Sequence, residues 1–140
     1  MTMLRTLIVL GLVGLGVHWW NEHREATALQ AVTSPNGFLP VPMPEGTPPN
    51  TVLVFAPLNC PKEGARRAEA LSRKLTELGI RNIRTARYDA VSFTPSEEQM
   101  QNFKRLNKVM TGEIPIALVN GMGKANPSID ELVSEYRRTQ

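Results

Sequence analysis

Chemistry in this sequence gathers around one residue. Cys60 is the only cysteine among 140 residues, and it opens the run Cys60-Pro61-Lys62-Glu63. That run follows an apolar stretch and precedes a helical pattern. A thiol at a helix N-terminus faces unpaired backbone N–H groups and the positive end of the helix dipole. Both favour the thiolate, the form that attacks disulfides. Lys62, Arg66 and Arg67 add positive potential, and Glu63 opposes it. With no second cysteine, neither an intramolecular disulfide nor a cysteine-rich zinc site can form. His18 and His23 both sit near the start, so the rest of the chain has no histidine for catalysis or metal binding. No Gly-rich phosphate loop, paired metal-ligand helix or nucleophile–base–acid set occurs. Glu97-Glu98 and Asp130-Glu131 suit helix-start electrostatics. Metals and cofactors are therefore not expected. Cys60 is left with two readings, a reactive nucleophile and an inert, half-buried thiol.

The surrounding pattern supplies elements to hold that thiol. Residues 51–56, TVLVFA, form a continuous apolar run, expected of a strand buried on both faces. Pro61 suits a first helical position. Ala65, Ala68, Leu71, Leu75 and Leu78 follow at helical spacing, and Gly79 ends the helix. Lys62, Arg66, Arg67, Arg73 and Lys74 read as a solvated face, with Glu69 four residues before Arg73 as a stabilising pair. Residues 81–89 predict a second strand, with Ile83 on one face and Tyr88 on the other. Arg81, Arg84 and Arg87 are split between faces by alternation. Thr94-Pro95-Ser96-Glu97 predicts a capping-box start for a helix whose apolar side is Met100, Phe103, Leu106 and Met110. Residues 116–119 predict a third strand, and Asn120-Gly121 turns it into a short fourth at 122–125. Ser128-Ile129-Asp130-Glu131 opens a last helix. The order is β-α-β-α-β-(β)-α, which implies a parallel first pair and a mixed sheet covered on both faces.

This order resembles the thioredoxin fold in its compact, glutaredoxin-like form. Two segments carry the resemblance. VLVFAPLNCPKEGARRAEAL puts Cys60-Pro61 between first strand and first helix, where that family carries Cys-x-x-Cys. GEIPIALVNGMGKANPSIDEL is similar to the segment running through the family's cis-proline, strand, turn, strand and last helix, with Pro115 preceded by Ile114. The resemblance implies an α/β, thioredoxin-like three-layer α/β/α domain with a mixed four-stranded sheet. It implies that Cys60 is the nucleophile, and that Ile114 and Pro115, with Pro61 and Lys62 nearby, face the substrate or partner chain. Three positions depart from the pattern. Glu63 replaces the resolving cysteine, Pro57 replaces a glutathione-contacting lysine, and Ala125-Asn126-Pro127 replaces a Gly-Gly pair. A dithiol cycle within the chain is excluded, and glutathione is a doubtful cofactor.

Ahead of this domain, residues 1–20 carry Arg5 as the only fixed side-chain charge, then an apolar run closed by Trp19 and Trp20. Residues 6–20 reach roughly 22 Å of a roughly 30 Å hydrocarbon layer, and Arg5 can snorkel to extend the span. An uncleaved single-pass transmembrane anchor is the leading expectation. A signal peptide cleaved after Ala26-Thr27-Ala28 and a buried helix are its rivals. Arg5 points to a cytoplasmic N-terminus, which places residues 50–140 in the periplasm of a bacterium with the anchor in its inner membrane. Residues 21–33 extend the helix as a polar stalk. Residues 34–49 hold six of the eleven prolines and read as a semi-rigid linker, with Phe38, Leu39 and Val41 able to pack back on the domain. Sixteen Lys plus Arg against thirteen Asp plus Glu give only +3, too little to indicate nucleic-acid binding. Two functions fit: a partner-binding module of the cell envelope without full redox catalysis, and a monothiol thiol-disulfide oxidoreductase working through Cys60.

Overall fold

The computed structural model describes residues 2–56, 62–88 and 96–140. It divides into two units, the first ending at Val32 and the second spanning Thr33–Gln140.

The first unit is a single helix, α1 (Thr2–Val32). It is long and apolar enough to cross a membrane, and none of its apolar stretch is buried against protein. At its polar end the Trp19 and His23 rings stack with centroids 5.0 Å apart, and His18 lies 3.4 Å from Glu22. Both are neighbours one turn apart, as helical spacing requires.

The second unit is a mixed α/β domain. Its elements in chain order are β1 (Leu39–Pro40), β2 (Val52–Phe55), α2 (Lys62–Glu77), β3 (Asn82–Thr85), α3 (Glu97–Met110), β4 (Ile116–Val119), β5 (Met122–Ala125) and α4 (Ile129–Arg138). The strands form one five-stranded sheet in the order β1-β5-β4-β2-β3. β2 and β3 run parallel, and the other three pairings are antiparallel. The sheet therefore has one strand more than the four expected. The addition is β1, two residues from the proline-rich segment, which pairs Leu39 with Gly123 and Pro40 with Met122.

Alternation along the central strands explains their unbroken apolar runs. Val52, Val54, Ala117 and Val119 face α2 and α4, meeting Ala68, Leu71, Leu75 and Leu132. Leu53, Phe55, Ile116 and Leu118 face α3, meeting Leu106 and Val109. Asn120 and Gly121 both have positive φ, 46° and 81°, the twist that a two-residue hairpin demands. Gly79, at φ 72°, takes the left-handed position after α2. Ser128 and Glu131 cap α4 reciprocally, as their spacing predicts.

Residues 34–49 are not a free spacer. Phe38 is fully buried among the α2 and α4 residues, and Val41 packs on the α3 face. Hydrogen bonds hold the segment along its length. Val41 N donates to Gly121 O at 2.9 Å, Arg105 Nε to Pro40 O at 2.9 Å, and the Tyr88 hydroxyl to Pro42 O at 2.6 Å. Burying the Phe38 ring contributes about 1.5–3 kcal/mol. A proline-rich chain suits this place because an edge strand does not need every N–H.

A buried carboxylate fixes the start of the segment. Glu135 of α4 is fully buried. It accepts hydrogen bonds from Ser34 Oγ (3.0 Å), Asn36 Nδ2 (2.8 Å), Arg138 Nε (3.1 Å) and Arg138 Nη2 (2.5 Å). Burial alone would raise its pKa. The bonds from Arg138, Asn36 and Ser34 outweigh burial and hold the carboxyl below the ordinary glutamate range.

Other expectations need adjustment. The second strand is shorter than residues 81–89, because Thr85 Oγ1 bonds Arg87 N and Arg87 O and turns the chain. Alternation stops there, so Tyr88 comes to the same face as Ile83 and stacks 6.0 Å from the Phe55 ring. Helix α3 is capped by Ser96, which accepts from Gln99 N, and starts two residues later than a Thr94 cap would give. Met100 and Leu78, read as apolar-face residues, are about half exposed. Glu69 and Arg73 form no ion pair among the described residues. The pairs on α2 are Arg67–Glu63 and Lys74–Glu77.

Candidate functional site

Of the residues singled out from the sequence, Ile114 and Pro115 lie where β2 ends and β4 starts. Phe55 lies opposite Ile116, so Pro115 is carried past the end of β2 by the antiparallel register. Helix α2 begins at Lys62, following β2 in the chain. Cys60 and Pro61, and the side chain of Lys62, lie outside the described residues. Ile114 and Pro115 are described. The bond between them is cis, and Pro115 is buried.

Two groups grip this proline from either side. Asn126 N donates to Pro115 O at 2.7 Å, tying the loop before β4 to the turn before α4. Arg67, in the second turn of α2, donates through Nη2 to Ile114 O at 3.0 Å and to Glu113 Oε1 at 2.9 Å. Its Nη1 lies 3.7 Å from Glu63 Oε1. The Arg67 Nε is buried with no hydrogen-bond partner among the described residues. Glu63 thus belongs to an ion-pair set that reaches the proline loop.

A hollow of about 490 Å³ opens beside these groups. Leu71, Pro115, Pro127 and Ile129 give it an apolar lining, and Arg67, Arg73 and Lys74 give it basic groups. Lys74 is paired with Glu77 at 3.0 Å, whereas Arg73 has no ion pair among the described residues. The hollow offers apolar contact and a positive rim. Among the described residues, no group of three or more His, Cys, Asp or Glu could hold a metal.

Sequence reasoning gave Arg67 only a positive potential near Cys60 and missed its bond to the Ile114 carbonyl. Its spacing placed it with the solvated basic face, and nothing local marks it as the residue that crosses to Ile114. In sequence Asn126 marks only a departure from a Gly-Gly pair, yet its backbone N–H holds the Pro115 carbonyl. In both cases the signal is a long-range contact. No known protein family, no curated protein and no solved structure matches this chain.

Proposed function

We propose that the chain is a membrane-anchored thioredoxin-fold module of the cell envelope that binds a protein partner without completing a redox cycle of its own. The observation that carries this reading is the sheet order β3-β2-β4-β5, with one parallel and two antiparallel pairings. Helices α2 and α4 pack on one face of that sheet and α3 on the other, the three-layer arrangement of the family the sequence resembles. α1 supplies the anchor, and the positive residue ahead of its apolar run supports a periplasmic domain on a bacterial inner membrane. Binding is assigned to the Ile114–Pro115 loop and the hollow beside it. With Ile114 O bonded to Arg67 and Pro115 O bonded to Asn126 N, a partner chain would be held there chiefly by apolar contact and the basic groups of the hollow. Glu63 in place of a second thiol, and Asn126-Pro127 in place of a glycine pair, support binding over glutathione-dependent turnover. Proline removes an N–H that a carboxylate would use.

The second reading, a monothiol oxidoreductase, is favoured by the position of Cys60 two residues ahead of α2. Its thiolate would attack a substrate disulfide and form a mixed disulfide while one substrate sulfur leaves as thiolate. An external thiol would then attack the mixed disulfide and release Cys60. Trapping in membranes separates the two readings. Partners cross-linked near Pro115 should be recovered equally from wild type and Cys60→Ser, and insulin reduction should be absent. Thiol-dependent capture lost in Cys60→Ser, with measurable insulin turnover, would overturn the binding reading. Carbonate extraction with protease accessibility tests the anchor. Release into the soluble fraction would refute it.

A further inference from the structure

The sheet has two edges, and they are treated differently. One ends in β1, two residues long and finished by Pro40. The other is β3, four residues with no proline. On its inner side, Arg81 O accepts from Val52 N at 2.9 Å and Thr85 O accepts from Ala56 N at 3.2 Å. Alternation turns Ile83 inward with them and turns the N–H and C=O of Asn82 and Arg84 outward. Among the described residues no strand pairs with those outward groups. An open edge of this kind is a template for another strand.

The side chains along this edge select what can use it. Arg81, Arg84 and Arg87 are exposed, and none forms an ion pair among the described residues. No acidic residue occurs between Glu77 and Asp89. A second copy offering the same edge would bring arginine against arginine, which disfavours self-pairing. An acidic strand would meet Arg84 on the α2 face and Arg81 at the start of the edge, while Arg87 shares a hollow with Glu45. The two faces of the edge also differ. Asn82 Nδ2 bonds Thr76 Oγ1 of α2 at 3.0 Å, so Asn82 and Arg84 lie on the α2 face. Ile83 and Thr85 lie on the other face, where this hollow of about 150 Å³ is lined by Leu53, Phe55, Ile83 and Pro44, with Glu45 and Arg87 at it as opposite charges. Ile83 is 42% exposed there. The hollow suits one aliphatic side chain.

We infer that the outer edge of β3 is a docking site for an extended acidic segment of a partner protein, added to the sheet as a further strand with an aliphatic residue in the hollow beside Ile83. Main-chain bonds to Asn82 and Arg84 give such a complex its register, and the arginines give it charge selectivity. The surface is separated from Pro115 by β2 and does not depend on the chemistry of Cys60.

The test uses the full chain in zwitterionic nanodiscs and a fluorescein-labelled peptide, Glu-Val-Glu-Val-Glu-Val-Glu with blocked ends. Anisotropy should show saturable binding at low salt that weakens severalfold at high salt. Amide exchange at Asn82 and Arg84 should slow on binding. Arg81→Glu/Arg84→Glu should weaken the acidic peptide about tenfold or more and strengthen its lysine counterpart, whereas Arg66→Glu on the outer side of α2 should change neither. Far-UV circular dichroism checks that both variants fold. No saturable binding, equal binding by the charge-reversed chain, or protection confined to the Ile114 region overturns the inference. So does concentration-dependent protection of Asn82 and Arg84 without peptide, which would make the edge a self-association surface. Protection by phosphatidylglycerol vesicles but not by peptide would make it a lipid contact and overturn it equally.

Discussion

Replacing Glu135 by glutamine tests whether one carboxylate binds the proline-rich segment to the domain. The side chain keeps its size and loses its charge. In the native site one oxygen, Oε2, accepts from Ser34, Asn36 and Arg138 Nε, and the other accepts from Arg138 Nη2. A glutamine whose oxygen faces Ser34 and Asn36 turns its NH2 toward the Nη2 donor of Arg138. Arg138 is 44% exposed and can swing into water, so its charge is not stranded. The cost is the ion pair and one or two charge-assisted bonds, about 1–2 kcal/mol at pH 7. Glu135→Ala removes all four bonds and leaves Ser34 and Asn36 without their acceptor, at about 2–4 kcal/mol. The pH dependence has a fixed sign. The folded carboxyl titrates below its ordinary value of 4.5, so its stabilisation is present above that pH and is lost as pH falls through the folded pKa. Urea titrations of the full chain in mild detergent, followed by far-UV circular dichroism at pH 7 and in steps below 4.5, measure both effects. Amide exchange at Phe38 and Val41 should accelerate in the variant. Glu135→Gln within about 0.5 kcal/mol of wild type at pH 7, or a gap unchanged well below pH 4.5, would refute the reasoning.

Phe38→Ala should destabilise the domain by about 3–5 kcal/mol, seen as a lower urea midpoint, because a fully buried ring leaves a cavity between sheet and α4. A chain starting at Thr33 should fold, whereas one starting at Asn50, without β1, Phe38 and Val41, should show no cooperative transition at 37 °C. Arg67→Ala should cost about 1 kcal/mol and speed amide exchange around Ile114 and Ile116, since the guanidinium bonds the Ile114 carbonyl at a half-exposed position. Unchanged exchange there would show that Arg67 does not hold the loop. The Tyr88 phenol, raised by burial, should ionise at about 12, read from phenolate absorbance in Tyr136→Phe. The unfolded phenol ionises near 10, so Tyr88 should make the fold lose stability as pH rises above that value, and Tyr88→Phe should abolish this slope.

What the sequence made legible was local. The runs that became β2 and β4 are apolar on both faces, and burial on both faces is what an unbroken apolar run encodes. Asn120-Gly121 announced the hairpin through its backbone preferences, and Ser128 with Glu131 announced α4 through capping. What stayed hidden depended on partners distant along the chain. Glu135 sits between Leu132 and Tyr136 and reads as a solvent-facing position until Ser34 and Asn36, about a hundred residues earlier, close over it. β1 is two residues among prolines, with no period to detect, and only the exposed edge of β5 makes it a strand. Arg67 belongs by spacing to the basic face and by contact to the Pro115 loop. The Thr94 cap failed by two residues because Ser96 offers the same hydroxyl together with Gln99 three positions on. At Cys60 the sequence speaks alone, since the thiol lies outside the described residues.

The pairing of β1 with β5 has a consequence for the order of events during synthesis. Leu39 meets Gly123, and Ser34 and Asn36 meet Glu135, so the first folded residues of the domain depend on nearly the last. A ribosome adds about 5–20 residues per second, so Phe38 waits roughly 5–20 s for α4 to emerge. Through that interval the apolar run of α1 has already left the ribosome, while Phe38 and Val41 have no core to enter. Closing this long loop adds only modest entropy beyond that of a shorter one, so the delay is kinetic and not energetic. The nascent domain therefore presents an aromatic, proline-rich segment, just after the apolar helix in the chain, until its C-terminal helix arrives. A factor that shields extended chains has its opportunity there, and a truncation before Glu135 would leave that window open indefinitely.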